Sequence, residues 1–199
     1  MIKIKICGLC RMEDIAAVNA ALPDYIGFVF AESRRRVDIK TAAALKEGLD
    51  PRITPVGVFV NEDIHMIAEL YQNNIISMAQ LHGDEDGRYI DRLKKRCDCP
   101  VIKVAAVLDR LPAIPAGADY ALYDTVANTR GGAGVPFDWK LLEDKGPPYF
   151  LAGGLNAGNI ADAVRFLPFC VDVSSGVETQ GIKDPKKIAE FVRSVRRNE

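Results

Sequence analysis

Apolar and polar positions alternate through the first residues, Met1-Ile2-Lys3-Ile4-Lys5-Ile6-Cys7-Gly8. The pattern is that of a strand, with Ile2, Ile4 and Ile6 on one face and Lys3, Lys5 and Cys7 on the other. Further strand-sized runs follow at Tyr25–Phe30, Thr54–Val60, Ser77–His82, Val101–Val107, Tyr120–Asp124, Tyr149–Ala152 and Val171–Val173. Amphipathic helical patterns lie between them at Glu13–Ala21, Thr41–Leu49, Glu62–Tyr71, Arg88–Arg96, Gly158–Phe166 and Pro185–Arg197. Asn61, Asn156 and Asp184 are placed to cap the helices that follow them, and Pro185 suits a first helical position.

Strands that alternate with helices imply a parallel α/β sheet. Eight such units favour a closed (βα)8 TIM barrel over an open doubly wound sheet. In that barrel the isoleucines of the first strand face the helices and its lysines face the interior. Lysine there is costly unless paired. Cys7 falls at the carboxyl end of the inner face, where such barrels hold catalytic groups.

The fifth and sixth units are short of helix. Pro112 and Pro115 interrupt Leu108–Asp119, and the helix after Asp124 starts only near Phe137-Asp138-Trp139. These truncations fit eight units into 199 residues. No linker or shift of composition divides the chain, so residues 1–199 are expected to form one domain.

Composition narrows the function classes. Hydrophobic residues make up 48% and the net charge is -1, which gives neither disorder nor a basic field for nucleic acid. The longest apolar runs are strand-sized, and no membrane partner or secretory signal is expected. The five cysteines, an odd number, suit reduced thiols and a cytoplasmic location.

Two glycine- and serine-rich turns follow the last two strands: Gly153-Gly154 and Ser174-Ser175-Gly176. Each can present backbone N–H groups to an anion, and loops seven and eight are where barrels usually bind phosphate. The plain alternative is a pair of tight turns. Cys7 reads either as a small buried hydrophobe or as a base, in which case Lys5, two residues back on the same face, supplies positive potential. Asp124 closes an apolar strand, where a carboxylate is solvated, caps a turn or is catalytic. The glycine-rich stretch Thr129–Gly134 after it either covers a ligand or merely connects. In Ser33-Arg34-Arg35-Arg36, Arg34 and Arg35 read as solvated, and Arg36 is the candidate for bidentate capture of a carboxylate. Gln80 and His82 share a face at the end of the fourth strand and are candidate supporting groups, with His82 read in preference as a satisfied histidine of the barrel mouth. Asp172 is placed to pair with an interior lysine, a structural part at least as much as a catalytic one.

Taken in order, Lys5-Ile6-Cys7-Gly8, Gly27-Phe28-Val29-Phe30, Val56–Asn61, Gln80-Leu81-His82-Gly83, Gly131-Gly132-Ala133-Gly134, Phe137-Asp138-Trp139, Gly153-Gly154-Leu155-Asn156 and Val171–Glu178 resemble the phosphoribosylanthranilate isomerase family over nearly the whole chain. The resemblance implies an Amadori rearrangement of N-(5-phosphoribosyl)anthranilate in tryptophan biosynthesis, with no metal or cofactor. It implies Cys7 as general base, Asp124 as general acid, Arg36 on the anthranilate carboxylate, and loops seven and eight on the phosphate. Cys10 stands where the family usually has threonine, and Ala31–Arg36 departs from the usual proline-containing, serine-rich form. The Cys7-x-x-Cys10 spacing also permits a disulfide that would consume the base.

Other classes fit less well. A thiol-based metal or redox module would need Cys97-x-Cys99 as a ligand pair, and that spacing is too tight for zinc. Another sugar-phosphate barrel isomerase keeps the fold with a different substrate, and an indole-forming synthase would need lysine and glutamate at the strand ends. A small sugar phosphate is the expected partner, for a monomer or homodimer.

Overall fold

The computed structural model describes residues 1–125, 136–143 and 148–198. Eight parallel strands close into a barrel in sequence order, β1 (Lys3–Cys7), β2 (Tyr25–Val29), β3 (Thr54–Phe59), β4 (Met78–Leu81), β5 (Val101–Val107), β6 (Tyr120–Thr125), β7 (Tyr149–Leu151) and β8 (Cys170–Val173), with β8 bonded back to β1. Around it lie α1 (Met12–Ala21), α2 (Ile39–Glu47), α3 (Ile64–Gln72), α4 (Gly87–Arg96), α5 (Ile160–Ala163) and α6 (Pro185–Arg197). A two-stranded antiparallel ribbon, β9 (Glu178–Thr179) and β10 (Ile182–Lys183), follows β8.

The alternation along each strand separates two cores. Ile4 and Ile6 join the layer between barrel and helices. Val56, Met78, Ile102, Val104, Leu122, Phe150, Ala152 and Cys170 fill the barrel, with Tyr25, Tyr120 and Phe169 packed against them. Those rings stack, Tyr120 on Phe169 with centroids 5.1 Å apart and edge-on to Phe150 at 5.5 Å. They belong to the amino-terminal ends of their strands, so this end of the barrel is sealed and the opposite end is left for chemistry.

Helix starts follow local chemistry. Asp38, Asp86 and Asp184 accept backbone N–H bonds from Thr41, Tyr89 and Lys186, each worth about 1 kcal/mol. For α3 the cap is Asp63, which accepts from His65 N at 2.7 Å, in place of the expected Asn61. Asn61 instead has φ 51° and bonds loop four. Asn156 caps no helix by its side chain; it accepts from Gly158 N in a turn before α5, whose N-cap residue is Asn159.

Between β5 and β6 the chain runs without a helix, and the sixth unit has a 3-10 turn at Trp139–Leu142. The seventh unit is shortened as well, to α5 and a 3-10 turn at Val164–Phe166. The stretch Thr129–Gly134 lies outside the described residues.

Candidate active site

Inward-facing positions at the carboxyl ends of the strands bring the candidate groups to one mouth. Cys7 ends β1, Asp124 is the penultimate residue of β6, His82 follows β4 and Ser174 follows β8. Cys7 pairs in register with Gly27 of β2, and a Cβ built on that glycine would lie 2.7 Å from the Cys7 sulfur. The thiol therefore fills the space left by the missing side chain. Across the mouth, Nε2 of His82 lies 3.9 Å from an Asp124 carboxylate oxygen, beyond hydrogen-bond length.

Beneath this mouth sits a buried polar knot. Lys5 is fully buried; its Nζ donates to Asp172 Oδ2 at 2.7 Å and to Gln80 Oε1 at 2.9 Å. Register explains the meeting, since Lys5 is opposite Asp172 in the pairing of β1 with β8. Asp172 Oδ1 is buried and has no hydrogen-bond partner among the described residues. The ion pair holds Lys5 cationic despite the cost of burial.

The surroundings shift the titration of all three mouth groups. Burial, reinforced by the negative charge of Asp172, pushes the Asp124 carboxyl up to about 6. Burial also pushes the Cys7 thiol up, opposed by Lys5, reinforced by Asp172 and opposed again by Lys183. The His82 imidazole is lowered, first by burial and then by Lys5, which favours its neutral form. A carboxyl of that affinity can give up a proton near neutrality, and a thiol beside cations can take one.

The turns after β7 and β8 press together beside the same mouth. Gly153 and Gly154 have φ of 89° and 66°. A side chain at Gly153 would overlap Thr125 Oγ1, and one at Gly176 would overlap the carbonyl oxygen of Leu155. The backbone N–H groups of Gly153, Gly154, Ser175 and Gly176 meet no acceptor among the described residues. The side chain of Ser175 is exposed, whereas that of Ser174 is engaged: its hydroxyl donates to the Cys7 carbonyl at 3.1 Å. Ser174 therefore ties loop eight to β1 and does not present the expected free hydroxyl.

The three arginines differ from the sequence expectation. Arg34 and Arg35, read as solvated, both bond Glu178. Arg36 is exposed, carries no side-chain ion pair among the described residues, and is bridged through its backbone to Val29 at the rim of β2. Glu178 and Lys183 were not anticipated. The signal was present in the chain: Gln180-Gly181 between them is a hairpin turn, with φ of 51° and 78°, which sets Lys183 directly opposite Glu178.

All five cysteines are free thiols, and no three metal-ligating side chains cluster among the described residues. No helix among those residues is long and apolar enough to cross a membrane.

Comparison with known proteins gives the family and the fold. A family profile described as N-(5'phosphoribosyl)anthranilate (PRA) isomerase matches residues 4–194. The N-(5'-phosphoribosyl)anthranilate isomerase of Endomicrobium trichonymphae is 51% identical over 198 residues, covering 98% of this chain and 99% of that protein. The crystal structure of phosphoribosyl anthranilate isomerase from Thermus thermophilus superposes with a TM-score of 0.85 at 30% identity, covering both chains fully (100% each). A phosphoribosyl anthranilate isomerase crystallised with reduced 1-(o-carboxyphenylamino)-1-deoxyribulose 5-phosphate superposes at 0.82 with 31% identity, over 98% of this chain and 99% of that one.

Proposed function

The chain belongs to the family of N-(5'-phosphoribosyl)anthranilate isomerases, and we propose that within it Cys7 is the general base and Asp124 the general acid. The reaction is the isomerisation of phosphoribosylanthranilate in tryptophan biosynthesis, and the substrate is a small molecule. A single observation supports the two roles: a thiol and a carboxyl group reach one barrel mouth from β1 and β6, the carboxyl raised to about 6 and the thiol set beside Lys5 and Lys183, which oppose its rise on burial.

The chemistry needs two proton transfers and nothing redox-active. Asp124 gives a proton to the ribose ring oxygen as the C1–O bond breaks, and the substrate nitrogen becomes an iminium. That cation acidifies the C2 proton, which the Cys7 thiolate removes to leave an enolamine. The enolamine tautomerises to the ketone. Each positioned acid or base contributes about 10²–10⁴-fold. Arg36 holds the anthranilate carboxylate, while the free N–H groups of loops seven and eight and the Ser175 hydroxyl hold the phosphate. Binding at these two remote ends orients C1 and C2 between thiol and carboxyl.

The required protonation states are protonated Asp124 and ionised Cys7. With the carboxyl near 6 and the thiol raised, neutral solution favours the opposite arrangement. Turnover therefore runs through a minor form, and any change in thiol acidity alters the rate in proportion. Five free thiols suit a reducing compartment, and we place the reaction in the cytoplasm.

The test is a fluorescence assay with freshly generated phosphoribosylanthranilate. Cys7→Ala and Asp124→Asn each lower kcat by about 10²-fold or more while the circular dichroism melt stays cooperative. Normal turnover by either variant removes that residue from its role.

A further inference from the structure

The arginines after β2 and the ribbon after β8 meet on one carboxylate. Glu178, only 8% exposed, accepts Arg35 Nε at 2.7 Å and Arg35 Nη2 at 2.9 Å. Arg34 Nη2 reaches it at 2.7 Å and Lys183 Nζ at 2.8 Å. Three cations share one anion, so the cluster carries two positive charges in excess. One pair would suffice to pin the loop, and the further cations cost desolvation and mutual repulsion.

That excess lies against the end of β1. Lys183 Nζ donates to the Ser174 carbonyl at 2.8 Å and lies 3.4 Å from its hydroxyl, the same hydroxyl that bonds the Cys7 carbonyl at 3.1 Å. A side chain on Gly8 would overlap Arg35 Cδ, so Arg35 lies across the residue after Cys7. The charged groups facing the thiol are Lys5 from β1, Asp172 from β8, Lys183 from β10 and Arg35 from the loop after β2. β2 itself offers only Gly27. Lys5 is bonded to Asp172 at 2.7 Å, so the two act on the sulfur with opposite sign. Lys183 and Arg35 act with the same sign.

We propose that Glu178 gathers Lys183, Arg34 and Arg35 as positioning residues whose surplus positive charge adds to that of Lys5 in favouring the thiolate of Cys7. The consequence for catalysis rests on Cys7 being the base.

Lys183→Met, Lys183→Arg and Arg35→Met are compared with the unaltered protein in two measurements. One is the pH dependence of Cys7 alkylation by iodoacetamide, read on the Cys7 peptide by mass spectrometry. The other is the pH profile of kcat and KM. Loss of a cation that shifts the thiol by one unit leaves about tenfold less thiolate, partly offset by its roughly threefold greater nucleophilicity. Alkylation at pH 7 is therefore roughly three- to tenfold slower in Lys183→Met. Its kcat falls by about the same factor at neutral pH and converges with the unaltered protein at high pH. Arg35→Met shifts in the same direction, and Lys183→Arg restores both readouts. A raised KM with an unchanged Cys7 alkylation profile would show that the cluster serves the phosphate and not the thiol, and overturns the proposal. If Lys183→Met does not fold, Arg35→Met decides alone. Undiminished turnover by Cys7→Ala would refute the base assignment and leave the alkylation comparison intact, so the two failures are distinguishable.

Discussion

Asp124 is held where its ionised form is costly. Its carboxyl titrates near 6 in the folded protein against an ordinary 3.8, because of burial and then Asp172. A carboxyl whose folded value is raised holds its proton more tightly in the native state, so stability falls as pH rises from about 4 to about 6. Asp124→Asn removes that penalty. At pH 7 the variant is expected to be more stable by roughly 1–2 kcal/mol while losing turnover, as urea melts and the isomerase assay would record together. A melt unchanged or weakened at pH 7 contradicts the raised carboxyl. The same titration shapes the rate: kcat/KM is level from about pH 6 up to the thiol value and drops tenfold per unit below 6. The break near 6 belongs to Asp124: on Asp124→Asn it is gone, and the residual rate climbs with pH all the way to the thiol value. Arg36→Met raises KM by about tenfold or more, with kcat little changed; an unaltered KM returns Arg36 to the solvated rim. Cys7 and Asp124 were legible because a reactive group ending an apolar strand stands out against its neighbours. The engagement of Arg34 and Arg35 was not, since a paired arginine and a solvated one look alike in sequence and their partner Glu178 lies 144 and 143 residues away.

Among the elements, the pairing of β1 with β2 fixes the thiol. Gly27 stands opposite Cys7, and a methyl group there would meet the sulfur at 2.7 Å. Gly27→Ala is expected to cost about 1–3 kcal/mol by overpacking and to lower kcat by turning the sulfur from its place. In the Cys7→Ala background the same change costs much less, because the obstructing sulfur is gone. A double-mutant cycle on melting free energies checks this, and strict additivity rejects the steric account. All eight strands were readable to within about a residue of their observed ends, since a strand packed on both faces shows as a short apolar run. Helix starts were read less well. Asn61 and Asp63 are both good caps by type, and only the left-handed turn at Asn61 decides between them. The truncated fifth crossing was announced by its prolines; in the seventh unit the expected helix Gly158–Phe166 is met by α5 continuing directly into the 3-10 turn that ends at Phe166.

At the scale of the whole molecule, closure depends on β1 meeting β8, and the buried bond from Lys5 to Asp172 spans that seam. Lys5→Met leaves the Asp172 carboxylate without its cation inside the barrel, an expected loss of about 3–5 kcal/mol. The paired change Lys5→Met with Asp172→Leu recovers most of it, and calorimetry of the single and double variants would show otherwise if the seam owed nothing to charge. The barrel itself was legible from the count and spacing of strands, whereas the seam's chemistry follows from register, which periodicity does not encode.

Residues 5 and 172 are separated by 167 positions. A ribosome must therefore extrude the chain through its eighth strand before the lysine finds its counter-ion, and until then the nascent amino-terminal strand offers a bare edge and an unpaired ammonium to any passing chain. Closure of the reaction chamber therefore waits on the eighth strand, and the earlier strands must pass that interval with an open edge.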